Sequence, residues 1–128
     1  MIKNHANKIL VVEDEVVIAM RLKQMLTKMG YNVIGVSYSG EDALEKVRSL
    51  RPEIILMDII LSGKLDGIAV AEIVKSEINI PVIFLTAFSG DNITERFKKT
   101  EPFDYILKPF QDLEIKAAIE AALYKKQM

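Results

Sequence analysis

Five polar residues with reactive or metal-binding side chains stand directly after short apolar runs: Glu13, Asp14, Asp58, Thr86 and Lys108. Carboxylates that converge repel one another unless a cation lies among them, and a cluster of oxygen ligands favours a hard ion such as Mg²⁺. A carboxylate can also attack phosphorus and form an aspartyl-phosphate. Because a transferred phosphoryl group needs a metal, a cation and a hydroxyl around it, these residue types together predict phosphoryl chemistry.

Each of these residues also has a simpler interpretation. Asp14 can be a helix N-cap, and Lys108 can be a solvated lysine at a strand end. Thr86 alone indicates little, because threonine favours strands. Asp58 is harder to explain in this way, since an acid directly after a buried apolar strand is costly without partners. With Asp58 as nucleophile, Asp14 and Glu13 can bind the metal, Lys108 can supply the cation and Thr86 the hydroxyl.

These side chains can meet only if the apolar runs are strands of one sheet. Runs rich in Val and Ile alternate with stretches of helical periodicity, which predicts five strands and five helices in strict alternation. This pattern is typical of an α/β fold with a doubly wound parallel sheet, whose ligands bind at the carboxyl ends of the strands. The predicted strands are 9–12, 32–37, 54–57, 80–85 and 103–107.

Local signals predict where the helices begin and end. The first helix ends at Gly30, and Ser39 and Asp66 are predicted to cap the second and third helices. The fourth and fifth helices are predicted at 91–99 and 111–125. In the second helix, periodicity predicts that four residues face the core: Ala43, Leu44, Val47 and Leu50.

Length and composition limit the class of protein. A chain of 128 residues suggests one domain, 1–128, with a core at about 7–125. The net charge of -1 offers no basic patch, so we expect no direct nucleic-acid binding. The chain has no cysteine and no apolar run of the roughly 18 residues that a membrane span needs, so we expect a cytoplasmic protein with no membrane contact.

Four motifs together resemble the response-regulator receiver domain of two-component signalling. They are VVEDE at 11–15, LMDI at 56–59, FLTA at 84–87 and YILKPF at 105–110. Each motif alone is weak, but their order and spacing fit the family over about residues 7–125. The resemblance implies a flavodoxin-like, chemotaxis-regulator-like fold with strand order 2-1-3-4-5.

The resemblance also implies a role for each matching residue. Asp58 matches the phosphoacceptor, and Asp14 matches the carboxylate that binds Mg²⁺ (or Mn²⁺) directly, with Glu13 as its acidic neighbour. The backbone carbonyl of Ile60 matches a further metal ligand. The remaining matches are Thr86 as switch hydroxyl, Lys108 as phosphate-binding lysine with a cis bond to Pro109, and Tyr105 as aromatic switch residue.

The implied function is that of a phosphoacceptor in a phosphorelay. A sensor histidine kinase or a histidine phosphotransfer protein would donate the phosphoryl group. A downstream protein would bind the face formed by the fourth helix, fifth strand and fifth helix, and a homodimer is possible. No enzyme activity is expected beyond self-phosphorylation and autodephosphorylation.

Two features depart from the family pattern. Glu13 is longer than the aspartate that is commoner at its position, which predicts a slightly different metal geometry. The loop after Asp58 reads IILSGKLDG, with one extra residue before Asp66, which predicts a reshaped loop beside the site. The resemblance places Ile60 and Phe88 beside the path of an attacking water. Since neither side chain can orient water, a long-lived phosphorylated state is predicted. The alternative is that both side chains turn away, to pack on the loop or to bind a partner.

Two other functions remain open. A phosphatase or phosphotransferase with an aspartyl nucleophile usually has a second acid two residues later as general acid, and here that residue is Ile60. A degenerate receiver that only binds proteins would lack Asp58, Asp14 or Lys108, and all three are present. A nucleotide-binding domain is disfavoured because neither GxxxxGK[ST] nor GxGxxG occurs. The sequence does not identify the kinase, the stimulus or the output.

Overall fold

Five parallel strands form one sheet with the order β2-β1-β3-β4-β5, as predicted. The computed structural model describes residues 7–87 and 94–127. The strands are β1 (Lys8–Val12), β2 (Asn32–Ser37), β3 (Ile54–Asp58), β4 (Val82–Thr86) and β5 (Asp104–Leu107). The helices are α1 (Val16–Lys28), α2 (Gly40–Leu50), α3 (Gly67–Glu77), α4 (Thr94–Lys99) and α5 (Asp112–Gln127).

The sheet is covered on both faces, which explains the continuous apolar runs of its inner strands. Every residue of β3 and β4 is buried. One apolar cluster joins the sheet to α1 and α5, and a second cluster joins it to α2 and α3, with Phe97 of α4 packed against it. The sheet therefore holds the carboxyl ends of β1, β3, β4 and β5 at one edge of the molecule.

Helix capping follows the sequence prediction. The Ser39 hydroxyl accepts a hydrogen bond from the Asp42 amide at 3.2 Å, at the start of α2. The Asp66 carboxylate accepts from the Ala69 amide at 2.8 Å, at the start of α3. Gly30 follows α1 with a φ of +95°, a conformation that favours glycine.

Several predicted boundaries shift by one or two residues. β4 begins at Val82 instead of residue 80, because Pro81 has no amide hydrogen to donate to a neighbouring strand. β5 and α5 each begin one residue later than predicted, and α5 extends to Gln127. The described part of the fourth helix begins at Thr94; the predicted segment 91–93 lies outside the described residues.

The prediction that Leu50 faces the core was wrong. Leu50 is 39% exposed at the end of α2, although periodicity places it on the same face as Val47. A methyl group built on Gly35 would lie 3.5 Å from Leu50 Cδ1, so Leu50 covers a glycine of the edge strand β2. Because an edge strand has a neighbour on one side alone, part of Leu50 stays open to solvent.

Candidate functional site

Asp58 ends the central strand β3 and is 6% exposed. Its Oδ2 accepts a hydrogen bond from Lys108 Nζ at 2.8 Å, and its Oδ1 accepts one from the Ile60 amide at 3.1 Å. A buried carboxylate is costly without such partners. Both oxygens of Asp58 therefore have a donor that stabilises the charge.

Lys108 follows β5 and connects two acids that are distant in sequence. Its Nζ donates to Asp58 Oδ2 and, at 2.7 Å, to Glu13 Oε1. Its own amide donates to the Thr86 carbonyl at 2.9 Å, and its peptide bond to Pro109 is cis, as expected. Burial lowers the pKa of Lys108, but the hydrogen bonds to the two carboxylates outweigh burial and raise that pKa above its usual value. The lysine is therefore a fixed positive charge in the site.

Glu13 is fully buried at the carboxyl end of β1. Lys108 binds its Oε1, and the Glu15 amide donates to its Oε2 at 3.1 Å. Burial raises the pKa of Glu13 to about 7, although both hydrogen bonds oppose this shift. The side chain is thus held in place by donors from the protein itself.

Asp14 is half-buried and lies beside Glu13 in the chain. The structure does not support the simpler interpretation of Asp14 as a helix cap, because the N-cap of α1 is Glu15. One carboxylate oxygen from each of Glu13, Asp14 and Asp58 lies within 4.8 Å of the other two. A set of three carboxylate oxygens fits a hard divalent cation such as Mg²⁺.

Ile60 begins the loop after Asp58. Its amide contacts Asp58 Oδ1, which places the Ile60 backbone at the margin of the carboxylate cluster. Its side chain is 59% exposed. The predicted long lifetime of the phosphorylated state also depends on Phe88. This residue lies outside the described residues.

Thr86 ends β4 and is 2% exposed. The strand register pairs Asp58 with Leu85 of β4, so Thr86 stands one residue beyond the level of Asp58. Asp58 and Thr86 thus end β3 and β4, and Lys108 directly follows β5 at the same edge of the sheet.

Tyr105 lies on β5 and is 53% exposed. Its ring meets Phe97 of α4 edge-on, with ring centres 5.3 Å apart. Phe97 also contacts Phe84 of β4 at 5.4 Å. The three aromatic rings therefore connect α4 to both β4 and β5, and Tyr105 is on the α4 side of the sheet's edge strand.

The sequence did not identify two charged side chains that contact the segment 64–66 before α3. Arg96 of α4 forms a two-point ion pair with Asp66, at 2.8 and 3.0 Å. Glu41 of α2 accepts a hydrogen bond from the Lys64 amide at 3.0 Å. Their partners are 30 and 23 residues away in the chain, so no local pattern could identify them.

Within 7–87 and 94–127, no helix is both long and apolar enough to cross a membrane.

Comparison with known proteins identifies the family. Residues 9–120 match the model of the response regulator receiver domain. The chain is 34% identical to the chemotaxis protein CheY of Thermotoga maritima over 113 residues, which are 88% of this chain and 93% of that protein. It also superimposes on the signal receiver domain of a modulated diguanylate cyclase from Desulfovibrio desulfuricans G20, with a TM-score of 0.91 and 36% identity over 96% of this chain and 98% of that one.

Longer relatives match over part of their length. The chain is 34% identical to the transcriptional regulatory protein PdtaR of Mycobacterium tuberculosis, covering 91% of this chain and 56% of that protein. It is 39% identical to the phyllosphere-induced regulator PhyR of Methylorubrum extorquens, covering 95% of this chain and 45% of that protein. The chain thus spans about half the length of these two regulators. With its fold, its acidic edge and these matches, the chain belongs to the response regulator receiver domain family.

Proposed function

We propose that this receiver domain accepts a phosphoryl group on Asp58 from a sensor histidine kinase or a histidine phosphotransfer protein. The observation that carries the proposal is the Lys108 ammonium group, which contacts Asp58 and Glu13 within a cluster of three carboxylates. Receiver domains in general are phosphoacceptor signalling modules and bind Mg²⁺ at an acidic pocket. The family therefore supports the chemistry that these residues provide.

Charge balance supports a divalent ion at this place. When Glu13, Asp14 and Asp58 are all ionised, three negative charges surround the single positive charge of Lys108. One oxygen each of Asp14, Asp58 and Glu13 would hold Mg²⁺ or Mn²⁺, together with the Ile60 carbonyl. When bound, the ion would neutralise charge on the oxygens of the incoming phosphoryl group.

Asp58, Lys108 and Thr86 would each have a separate role in the transfer of the phosphoryl group. An Asp58 carboxylate oxygen attacks phosphorus, the new O–P bond forms as the P–N bond to the donor histidine breaks, and the imidazole nitrogen keeps the electron pair. Lys108 already contacts Asp58, so its ammonium group can turn to a phosphoryl oxygen with little movement. Thr86 supplies a hydroxyl at the end of the adjacent strand.

Exposed apolar side chains on two surfaces support the proposal that this domain binds protein partners. Val17 and Met20 of α1 are 81% and 54% exposed on the helix that follows Asp14, where a phosphoryl donor would approach. Tyr105 and Leu107 of β5, with Tyr124 of α5, are exposed on the face proposed for the downstream protein. That face could also bind a second copy of this chain.

The proposal extends to the whole sequence. We propose that 1–128 acts as one receiver domain with a core at about 7–125, in the cytoplasm, with no activity beyond self-phosphorylation and autodephosphorylation. Transcriptional regulation, which the name of PdtaR states, is a property of that protein alone.

Phosphorylation by a small donor tests the function directly. With phosphoramidate and Mg²⁺, intact-mass measurement should show one added phosphoryl group on the parent chain and none on Asp58→Asn. Asp112→Asn is a matched control, because it removes the same charge from an exposed acid at the start of α5. Labelling that persists in Asp58→Asn would contradict the assignment.

A further inference from the structure

The two ends of the loop that follows Asp58 are joined to each other. The Gly67 amide donates to the Ile59 carbonyl at 2.7 Å, which joins the end of the loop to its beginning. Gly67 packs so closely on the strand that a methyl group built there would lie 2.1 Å from the Asp58 carbonyl oxygen. Glycine is therefore required at this point, and the intervening residues form a compact loop.

The beginning of α2 holds the middle of this loop. Glu41 Oε2 accepts from the Lys64 amide at 3.0 Å. Gly63 has a φ of +95°, and a methyl group built there would lie 2.8 Å from Glu41 Oε1. The loop backbone is thus wrapped closely around the Glu41 carboxylate.

A second contact brings the same helix end against the loop. A methyl group built on Gly40 would lie 2.6 Å from the Leu65 carbonyl oxygen and 2.8 Å from Val70 Cγ2. The absence of a side chain at Gly40 lets α2 approach closely enough for Glu41 to reach Lys64.

We propose that Glu41 is a positioning residue for the metal site. By fixing the loop at Lys64, it holds the Ile60 backbone carbonyl where the proposed ion binds, although Glu41 touches neither the ion nor Asp58. This inference rests on the proposed function, because it requires that the carboxylate cluster bind Mg²⁺.

The charge state of Glu41 agrees with this role. The hydrogen bond from the Lys64 amide lowers the pKa of Glu41 below its usual value. The carboxylate is therefore ionised at neutral pH, and a charged acceptor makes the stronger hydrogen bond.

Magnesium titration followed by amide NMR shifts tests the proposal without any phosphorylation. Glu41→Ala should weaken Mg²⁺ binding about threefold to tenfold, the range that corresponds to a net hydrogen bond. It should also reduce the Mg²⁺-dependent shift of the Leu61 amide, whose nitrogen is bonded to the Ile60 carbonyl. Glu45→Ala is the matched control, because it removes the same charge from an exposed position one turn further along α2.

A conservative variant and a metal-free measurement separate positioning from general stability. Glu41→Gln keeps an oxygen acceptor and should recover part of the Mg²⁺ affinity. In the absence of metal, hydrogen exchange of the Lys64 amide should accelerate in Glu41→Ala and stay unchanged in Glu45→Ala.

The outcomes distinguish this inference from the function on which it rests. If the parent chain binds no Mg²⁺, both are overturned. If the parent binds Mg²⁺ and Glu41→Ala binds it equally well, the positioning role alone is wrong. The role is also wrong if both glutamate variants weaken binding to the same extent, because the effect is then one of net charge.

Discussion

Glu13 and Asp14 are neighbours in sequence, but their carboxylates have different surroundings. Glu13 is fully buried, and protein donors bind both of its oxygens. Asp14 belongs to the same cluster but is half-buried, so it is more accessible to solvent than Glu13. An oxygen already bound by an ammonium group is a poorer ligand for a second cation, so we expect Asp14 to contribute more to metal binding.

This difference predicts unequal effects of two amide substitutions. The dissociation constant for Mg²⁺ should be about ten times higher in Asp14→Asn than in Glu13→Gln, because Asp14→Asn removes a direct charged ligand. Calorimetric titration of both variants at neutral pH measures the two losses. Equal losses would contradict the division of roles between the two acids.

At the scale of elements, Asp66 connects two helices. It caps α3 through the Ala69 amide and pairs with Arg96 of α4. Burial alone raises the pKa of Asp66, but the hydrogen bonds from Arg96 and Ala69 outweigh burial and leave that pKa below its usual 3.8. The ionised form is therefore the one that the folded protein stabilises.

The lowered pKa fixes the sign of a pH effect on stability. A carboxyl group with a depressed folded-state pKa contributes its full stabilisation above about pH 4, and this contribution is lost as the pH falls through the folded pKa. Asp66→Ala should reduce the free energy of unfolding by about 1 kcal/mol at pH 7. Urea denaturation between pH 7 and pH 2.5 should show the difference from the parent shrinking with acidity.

A comparison of substitutions at this residue identifies the source of the effect. Asp66→Asn keeps a capping oxygen and should cost less than Asp66→Ala at pH 7. A difference between parent and Asp66→Ala that stays constant down to pH 2.5 would count against a role for the charge.

α4 is the helix we expect to move on phosphorylation. Its described part is six residues long, and its contacts with the sheet include the Phe97 ring between Phe84 and Tyr105. A short helix with few buried contacts opens at lower free-energy cost than the core helices. Its displacement would change the exposed surface around Tyr105.

Beryllofluoride, which mimics the phosphoryl group, tests this expectation. Adding it with Mg²⁺ should produce amide shifts that extend from Asp58 into 86–107, including Thr86 and Tyr105. Asp58→Asn serves as the control, because it removes the attachment point. Shifts confined to the carboxylate cluster would argue against coupling between the site and α4.

At the scale of the whole molecule, one sheet is shared by two apolar clusters. Leu56 belongs to the cluster with α1 and α5, and Leu10 belongs to the cluster with α2 and α3; both are fully buried. Since β1, β3 and β4 each contribute side chains to both clusters, neither layer can lose its packing without exposing the sheet that supports the other.

Cooperative unfolding follows from this arrangement. Leu56→Ala and Leu10→Ala should each reduce the free energy of unfolding by about 2–5 kcal/mol, the cost of a cavity in a core. Both variants should unfold in a single transition when denaturation is followed by circular dichroism. Leu113→Ala, at a position that is 77% exposed, should change stability by less than about 0.5 kcal/mol. Two separated transitions would show that the layers unfold independently.

The sequence by itself determined the elements and the residues at their ends. Apolar runs and helical periodicity are local properties, so they predicted five strands, five helices and the caps at Ser39 and Asp66. The strand order came from the family resemblance, since local patterns do not specify which strands are neighbours. The motifs also identified Asp58, Lys108 and the other candidate site residues. Their roles stay predictions.

The tertiary structure alone decided which side chains meet. Lys108 pairs with Glu13 across 95 residues, and Glu41 reaches the Lys64 amide across 23. It also decided that Leu50 stays partly exposed, because periodicity defines a helix face but does not show where the sheet beneath it ends. Such contacts depend on how strands and helices are placed in three dimensions, and no spacing within the chain encodes them.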